Sequence, residues 1–372
     1  PSMEPTLHGE TAMGDLVLVN KTSWWTASPE LFDLVVFRST TPGQHHIVKR
    51  VAAIGKCDVR LARGDLWVSD QKGELQRVQK DPLRYQDLRI DLFRHGLGLC
   101  QQTLEEFAYL PPTGSSVSAA GVIELDPARP VLSQVVTDLQ PDLRRPAGVG
   151  MSNFMPGFMA THKGLDDSFL NPAGKRYWEG RNYYADVGIE MQVVPTPGVD
   201  ALVFLHEYCD HDVAVIWERS GELRTVVDGV VGESVSNHLF GDGTMDLAFG
   251  YLDGRVFLIR NGETVLLQDV KMPSHRKARR ANGLQFGFSG TGTVSIPQLR
   301  VFRDLAASPA GGSFGQSGGV YHVPAGHMFL LGDNAHDSQD SRTTLGMVSA
   351  DRLVGRVIGI LSPWPRARRF ER

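Results

Sequence analysis

The stretch Ile47-Val48-Lys49-Arg50-Val51-Ala52-Ala53-Ile54 decides the fold that we expect, because it places a lysine inside an apolar, largely β-branched run. The run follows the turn residues Pro42-Gly43 and ends at Gly55, which is typical of a β-strand. Successive side chains of a strand point to opposite faces. Lys49 therefore shares a face with aliphatic residues two positions away on either side. We expect Arg50 to point to the other face and to remain solvated.

The composition predicts a soluble, globular and β-rich chain. Its 372 residues exceed a single typical core and predict two domains. Hydrophobic residues make up 41% and charged residues 22%, and the formal net charge of −4 gives no indication of a nucleic-acid partner. The 40 glycines and 21 prolines predict many turns.

Cysteine and histidine usage gives no indication of a metal site. The three cysteines, Cys57, Cys100 and Cys209, form no Cys-x-x-Cys pair, which disfavours zinc ribbons and thioredoxin-like chemistry. The run His206-Glu207-Tyr208-Cys209-Asp210-His211 has metal-ligand residue types, but we expect it to be solvated polar surface at a strand end. We therefore expect no metal and no cofactor.

Residues 180–304 predict a β-sandwich. Apolar runs of strand length recur there, and the turns Asp228-Gly229, Asp253-Gly254 and Asn261-Gly262 are hairpin signals, because both residues of a type I′ turn take positive φ. The hairpin at 251–262 is similar to those of laminin-G or concanavalin-like jelly rolls. The predicted strands are residues 187–194, 201–206, 212–218, 222–227, 244–250, 255–260, 263–268, 284–289 and 298–303.

The whole chain is expected to be mainly β, with one antiparallel β-domain split by the jelly-roll-like sandwich. Apolar strands occur in the first 70 residues and again after residue 320, separated from the sandwich by a Gly- and Ser-rich stretch. The basic segment 366–372 is expected to be a solvated tail. The predicted segments are residues 1–84 (β-domain, first part), 85–150 (connecting region), 151–306 (inserted sandwich), 307–319 (linker) and 320–372 (β-domain, second part).

Three further motifs accompany the lysine strand. Pro1-Ser2-Met3-Glu4-Pro5-Thr6-Leu7 opens the chain, Gly14-Asp15-Leu16-Val17 follows it, and Gly332-Asp333-Asn334-Ala335-His336-Asp337-Ser338-Gln339-Asp340-Ser341-Arg342 stands near the other end. Each segment alone is ordinary. Their combination and order resemble the type I signal peptidase, or leader peptidase, family. The likeness covers about residues 1–70 and 320–365.

The resemblance implies a Ser-Lys dyad. Ser2 matches the nucleophile, Lys49 its general base, and Ser338 the serine whose hydroxyl orients the lysine amine. A serine hydroxyl needs a base to become a nucleophile. A lysine can serve only if its pKa falls well below about 10.4, which burial among apolar groups can achieve.

The resemblance also assigns supporting residues in the second motif. Asp340 and Arg342 match a salt bridge that holds the loop, and Asp333 and Asn334 shape it. An ordinary surface pair, contributing under about 1 kcal/mol, is the alternative interpretation for Asp340 and Arg342. The family's second oxyanion donor, two positions upstream of the nucleophile, would lie before the first residue.

The implied activity is removal of signal peptides from secretory preproteins through an acyl-enzyme. The preprotein would add as an extended strand near Met3, Pro5, Ile47 and Val48, and shallow apolar pockets there would select small residues, as at Ala-x-Ala sites. The family implies a location at the cell membrane with the catalytic domain on the extracytoplasmic side. No stretch reaches the roughly 18 apolar residues of a spanning helix. Because the chain opens mid-motif without Met, we expect a membrane anchor upstream of it.

Two alternatives stay open. The first is a Ser-Lys autoprotease of the repressor type, which would have a helix-turn-helix domain that the sequence does not predict. The second is a catalytically impaired signal-peptidase-like protein whose sandwich binds carbohydrate or protein.

Overall fold

The computed structural model describes residues 2–9, 14–40, 46–62, 64–98, 103, 108–109, 115–126, 157–160, 168–170, 174–177, 185–208, 211–236, 238–270, 283–309, 319–335 and 337–370. The chain forms two compact units. The split unit consists of Pro1–Ile90 and Leu305–Arg372, and the inserted unit is Asp91–Asp304. Strands are numbered β1 to β28 along the chain.

The split unit contains two antiparallel sheets. Its strands are β1 (Leu16–Asn20), β2 (Leu34–Arg38), β3 (His46–Ile54), β4 (Cys57–Ala62), β5 (Asp65–Ser69), β6 (Leu75–Arg77), β24 (Val320–Val323), β25 (His327–Leu331), β26 (Val348–Ser349), β27 (Leu353–Ser362) and β28 (Arg368–Arg369). The larger sheet has the order β1-β27-β2-β3-β25-β26, with β28 beside β27, and the smaller one has the order β24-β4-β5-β6. Helix α1 is Ser23–Thr26, and 3-10 turns lie at Gln86–Leu88, Ala350–Arg352 and Trp364–Arg366.

Strand β2 has buried side chains on both faces of the larger sheet. Val35 and Phe37 pack in one apolar cluster with residues of β3 and β25. Leu34 and Val36 pack in a second cluster, which also contains Phe370. Each such burial contributes about 1.5–3 kcal/mol. Burial on both faces explains why β2 is an unbroken apolar run rather than an alternating one.

The inserted unit consists mainly of two larger antiparallel sheets. Its strands are β7 (Arg89–His95, in this unit from Asp91), β8 (Ala108–Tyr109), β9 (Ser115–Val117), β10 (Ile123–Leu125), β11 (Gly157–Ala160), β12 (Phe169–Leu170), β13 (Arg176–Tyr177), β14 (Val187–Pro195), β15 (Val199–Tyr208), β16 (His211–Glu218), β17 (Leu223–Val227), β18 (Val230–Val235), β19 (Met245–Leu252), β20 (Arg255–Arg260), β21 (Glu263–Asp269), β22 (Gly283–Gly290) and β23 (Val294–Asp304). One sheet has the order β21-β20-β19-β14-β23-β10-β9, with β7 beside β23. The other has the order β18-β17-β16-β15-β22-β11-β8, and β12 pairs with β13.

The hairpin turns of the inserted unit have the predicted backbone conformation. The φ angles are 49° and 81° at Asp228-Gly229, 48° and 87° at Asp253-Gly254, and 50° and 81° at Asn261-Gly262. Positive φ at both central residues matches the twist of the flanking strands. All nine strands predicted between residues 180 and 304 are present, and β18 is an additional one that the sequence did not indicate.

The two larger sheets of the inserted unit pack face to face. The ring of Phe204 on β15 lies 5.2 Å from that of Phe249 on β19, centroid to centroid. His206, which we expected in solvent, lies on β15 as well and is fully buried. Its ring stacks on that of Tyr251, with 5.6 Å between the ring centroids. Burial lowers the pKa of His206 to about 4. The predicted mainly β fold, an antiparallel β-domain interrupted by an inserted sandwich, is confirmed.

Two of the predicted segments differ from the structure where it describes them. Within the expected connecting region, β9 and β10 belong to a sheet of the inserted unit, with Ile123 and Leu125 fully buried. Three-residue strands are too short to show a period in sequence. Within the expected linker, Ala307 bridges to Gly64, and Ser308 is fully buried. Residues 127–150 and 310–318 lie outside the described residues. No helix in the described part of the chain is both long enough and apolar enough to span a bilayer.

Candidate active site

Lys49 lies in the middle of β3 and is almost completely buried. Lys49 is 2% exposed, and it pairs with Val35 on the neighbouring strand β2. The Nζ atom donates a hydrogen bond of 2.9 Å to Ser338 Oγ. The structure therefore places the predicted base and its predicted orienting serine in direct contact.

The surroundings of Lys49 favour the neutral amine. Burial lowers its pKa to about 8, against the opposing influence of Asp340 and Asp333, whose negative charges favour the ammonium. Removing an ammonium from water disfavours its charged form. An unperturbed lysine has a pKa near 10.4, so the neutral fraction of Lys49 at mildly alkaline pH is far larger than usual.

Ser2 is brought to the same loop through its backbone. The N–H of Asn334 donates to Ser2 O at 3.1 Å. Gly332 lies between the two serines: a Cβ atom at this position would lie 2.4 Å from Ser2 O and 2.1 Å from Ser338 Oγ. The close approach of the two serine segments therefore requires a residue without a side chain at position 332.

The loop that carries Ser338 is held by the buried pair Asp340 and Arg342. Arg342 donates from Nε to Asp340 Oδ1 at 2.8 Å and from Nη2 to Oδ2 at 2.5 Å, and its Nη1 donates to Ser308 O at 2.7 Å. Burial alone would raise the pKa of Asp340, but the hydrogen bonds from Arg342, Gly332 N–H and the Ser338 hydroxyl, with the charge of Arg342, hold it below its usual range. The pair is buried, not an ordinary surface pair.

Arg50 is the main correction to the sequence-based expectation for β3. It is 3% exposed rather than solvated, and its Nε and Nη2 donate to the two carboxylate oxygens of Asp333 at 2.9 and 2.8 Å. Its Nη1 donates to Phe32 O at 2.9 Å and also approaches Asp87. The sequence could not show this, because Asp333 lies 283 residues away in the chain. These two hydrogen bonds from Arg50 to Asp333, called the Arg50 fork below, hold the Gly332-Asp333-Asn334 segment against the residue next to Lys49.

The predicted substrate-contacting residues lie on two sides of β3. Met3 is buried, and Val48 packs against the same apolar cluster. Ile47 is half-buried against the cluster on the opposite face. Pro5 is half-buried, and its carbonyl accepts a hydrogen bond from Arg366.

The segment at 366–370, expected to be a solvated tail, also contacts the Ser2 region. Arg366 forms a two-oxygen ion pair with Asp15, and Phe370 is 5% exposed. Residues 371 and 372 lie outside the described residues. The run of arginines in this segment gave no sequence signal of burial.

Comparison with known proteins identifies the class of this chain. A family model described as "Signal peptidase, peptidase S26" matches residues 1–112 and 260–362, more than half of the chain. The chain therefore belongs to the signal peptidase family, peptidase S26, and the resemblance predicted from the serine, lysine and Asp-Ser-Arg motifs is confirmed. The split match is consistent with an inserted domain.

One curated relative is the signal peptidase I of Pseudomonas fluorescens. It is 37% identical over 59 residues, which cover 13% of this chain and 21% of the relative. The chain thus spans about a fifth of the length of the relative it matches.

Solved structures give weaker likenesses. Galectin LEC-6 of Caenorhabditis elegans is 12% identical with a TM-score of 0.26, covering 31% of this chain and 81% of the galectin. A β-1,3-1,4-glucanase from a mouse hindgut metagenome is 9% identical with a TM-score of 0.32, covering 57% of this chain and 98% of the glucanase. Likenesses at these scores support no conclusion about function.

Proposed function

We propose that the protein is a membrane-associated serine endopeptidase that removes signal peptides from secretory preproteins, with Ser2 as nucleophile and Lys49 as general base. The buried Lys49 amine is the observation that carries the proposal. Its pKa lies near 8, and its Nζ is hydrogen-bonded to the loop that also contacts Ser2 O. A lysine in this state can accept a proton at a pH where surface lysines cannot.

The proposed reaction proceeds through an ester on Ser2. Ser2 Oγ attacks the scissile carbonyl carbon while neutral Lys49 takes the hydroxyl proton. The tetrahedral intermediate collapses as the Lys49 ammonium gives this proton to the leaving amine. Lys49 then deprotonates a water that attacks the ester, and returns the proton to the Ser2 oxygen. Ser338 accepts one N–H of Lys49, which restrains rotation of the amine throughout.

The proposed substrate is an extended peptide that pairs with the first half of β3. Strand β25 pairs with β3 only from Arg50 to Ile54, whereas β2 pairs with β3 from His46 to Arg50. In the described part of the chain, the other edge of β3 before Arg50 therefore has no paired strand. Backbone addition there would bring the peptide past Ile47, Val48 and Lys49, and the half-buried aliphatic surface suits small side chains.

The test is cleavage of a preprotein with an Ala-x-Ala site by the full-length protein. Ser2→Ala and Lys49→Ala are each expected to lower kcat/KM at least about 10³-fold. Lys21→Ala, which removes an exposed lysine of the same unit, serves as the matched control and should leave kcat/KM unchanged. Full activity in either dyad variant would overturn the proposal. A folded wild-type protein that cleaves no preprotein would support the impaired, ligand-binding alternative instead.

The proposed membrane contact is supported by exposed apolar side chains of the split unit. Leu16 on the edge strand β1 is 60% exposed, and Trp364, just after the neighbouring strand β27, is 87% exposed. Leu18 and Leu361 extend this surface. Leu16→Asp should reduce co-sedimentation with phospholipid vesicles. Val320→Asp, at an equally exposed position on the smaller sheet, should not; equal losses would contradict the assignment.

For the inserted unit, a protein ligand is better supported than a carbohydrate. The aromatic side chains of this unit whose exposure the structure describes are all buried, so none of them offers a plane for stacking on a sugar. Its exposed large apolar residues are aliphatic and include Val230, Val231 and Val235 on the outermost strand β18. Binding of the full-length protein to a glycan array would contradict this preference.

A further inference from the structure

The segment from Trp364 to Phe370 packs against the turn that carries Ser2. This turn, residues 2–8, is closed by a hydrogen bond of 2.9 Å from Leu7 N–H to Met3 O. Met3, Leu7 and Phe370 are all buried in one apolar cluster. The segment lies just beyond residue 362, where the family match ends.

An ion pair joins this segment to the far side of the turn. Arg366 Nε donates to Asp15 Oδ1 and Nη2 to Oδ2, both at 2.7 Å. The Asp15 side chain is fully buried and Oδ2 also accepts His8 N–H at 2.8 Å. Burial alone would raise the pKa of Asp15, but Arg366 and the His8 N–H hold it below its usual range. Asp15 is therefore a charged acceptor that fixes Arg366 and the end of the turn together.

The same guanidinium also reaches the middle of the turn. Arg366 Nη2 donates to Thr6 O at 3.1 Å and Pro5 O at 3.3 Å, and Arg368 donates to Thr6 O at 3.2 Å. At its other end, the turn is held by the hydrogen bond from Asn334 N–H to Ser2 O. One anchor thus comes from the loop that carries Ser338, and the other comes from Arg366 with a further hydrogen bond from Arg368.

We infer that Arg366 is a positioning residue for the nucleophile: through Asp15 and the carbonyls of Pro5 and Thr6, it sets where the Ser2 turn lies relative to Lys49. The inference rests on the proposed function of Ser2. Without the guanidinium, the second anchor keeps only the Arg368 hydrogen bond, and Ser2 can shift while the Lys49–Ser338 contact stays intact. A misplacement of about 1 Å between reacting groups can lower a rate about 10²-fold.

The test compares Arg366→Gln with Arg369→Gln in the full-length protein. Arg369 is an exposed neighbour in the same segment, so it controls for a lost surface charge. Arg366→Gln is expected to lower kcat about 10- to 100-fold on an Ala-x-Ala peptide, with KM within about twofold of wild type. The midpoint of its pH–rate profile should not move, because Lys49 keeps its surroundings. Arg369→Gln should behave as wild type.

Several outcomes decide the inference. Wild-type kcat in Arg366→Gln would overturn it, as would a loss confined to KM. If Arg366→Gln does not fold, Arg366→Lys, which keeps the charge, decides by the same criterion: an intermediate kcat supports the inference and a wild-type kcat overturns it. If wild type itself cleaves nothing, the proposed function fails, and amide exchange decides the positioning. Faster exchange in residues 2–9 of Arg366→Gln than of Arg369→Gln supports it, and equal exchange overturns it.

Discussion

Lys49 Nζ and Ser338 Oγ are joined by a 2.9 Å hydrogen bond although the two residues are 289 positions apart in the chain. Lys49 lies on strand β3 of the larger sheet, and Ser338 lies in the loop that follows strand β25. The contact places an amine of lowered pKa next to the loop that holds Ser2 O. The expected pH dependence and the expected effects of substitutions at Ser338 and Gly332 all depend on this arrangement.

The first prediction concerns pH. Because only the neutral amine accepts a proton, kcat/KM should rise with pH and reach half its maximum near pH 8, the value to which burial lowers the pKa of Lys49. The rate should be lost, not gained, as the pH falls below this value. A pH–rate profile on a peptide substrate measures it. A profile that is flat between pH 7 and 9 would contradict Lys49 as the base.

The second prediction concerns Ser338. Ser338→Ala removes the acceptor that orients the Lys49 amine, and kcat should fall about 10- to 100-fold. The exposed neighbour Gln339 provides the control, because Gln339→Ala leaves that hydrogen bond intact. Steady-state kinetics of both variants decide the matter, and equal rates would show that Lys49 needs no orienting hydroxyl.

The third prediction concerns Gly332. A methyl group at this position would lie 2.4 Å from Ser2 O, a backbone atom that cannot rotate away. Gly332→Ala should therefore force the two segments apart and lower kcat at least about 10²-fold. Gly319→Ala is the matched control, since a Cβ there has nothing within 4 Å. Kinetics together with circular dichroism distinguish a displaced serine from an unfolded protein.

The fourth prediction concerns stability. Asp333→Asn leaves the buried guanidinium of Arg50 without most of its countercharge, which typically costs about 3–5 kcal/mol. Glu30→Gln breaks the exposed pair with Arg84, where both side chains are about half exposed, and should cost less than about 1 kcal/mol. Urea unfolding of the two variants measures the difference. Similar midpoints would mean that the Arg50 fork contributes little.

The fifth prediction concerns acid sensitivity of the Ser2 turn. Burial, with the nearby charge of Arg366, lowers the pKa of His8 to about 4. Between about pH 6.5 and pH 4 the unfolded chain binds a proton at His8 that the folded chain does not, so stability falls as the pH falls through this window. His8→Gln should make the loss of Tm from pH 7 to pH 5 smaller. Parallel losses in the variant and the wild type would refute this.

The sequence predicted the elements whose signals are local. The Asp-Gly and Asn-Gly turns of the inserted unit need no distant partner, because their backbone conformation depends on the two turn residues. The Ser2, Lys49 and Asp-Ser-Arg motifs were recognisable by order alone. The order of these motifs along the chain could not predict which of their residues contact one another.

The misses at charged residues share a physical cause, which is that burial of a charged side chain depends on its partner. In the alternating pattern of β3, Arg50 is on the face opposite to Lys49 and was therefore expected to face solvent. Its burial is possible because the carboxylate of Asp333, far along the chain, compensates its charge. Arg366 belongs to a basic run that is typical of a solvated tail, yet Asp15 holds it against the Ser2 turn. The strands β9 and β10 are too short for a periodic signal.

The separation of Lys49 from Ser338 and of Ser2 from Arg366 has a consequence for the timing of synthesis. The ribosome delivers the serine and the lysine early, and their partners only after the entire inserted unit. Until then Lys49 has neither its burial nor its hydrogen bond, so its amine keeps a pKa near 10.4 and stays protonated. If Lys49 is the base that we propose, a nascent chain is therefore inactive until the last strands of the split unit have been synthesised.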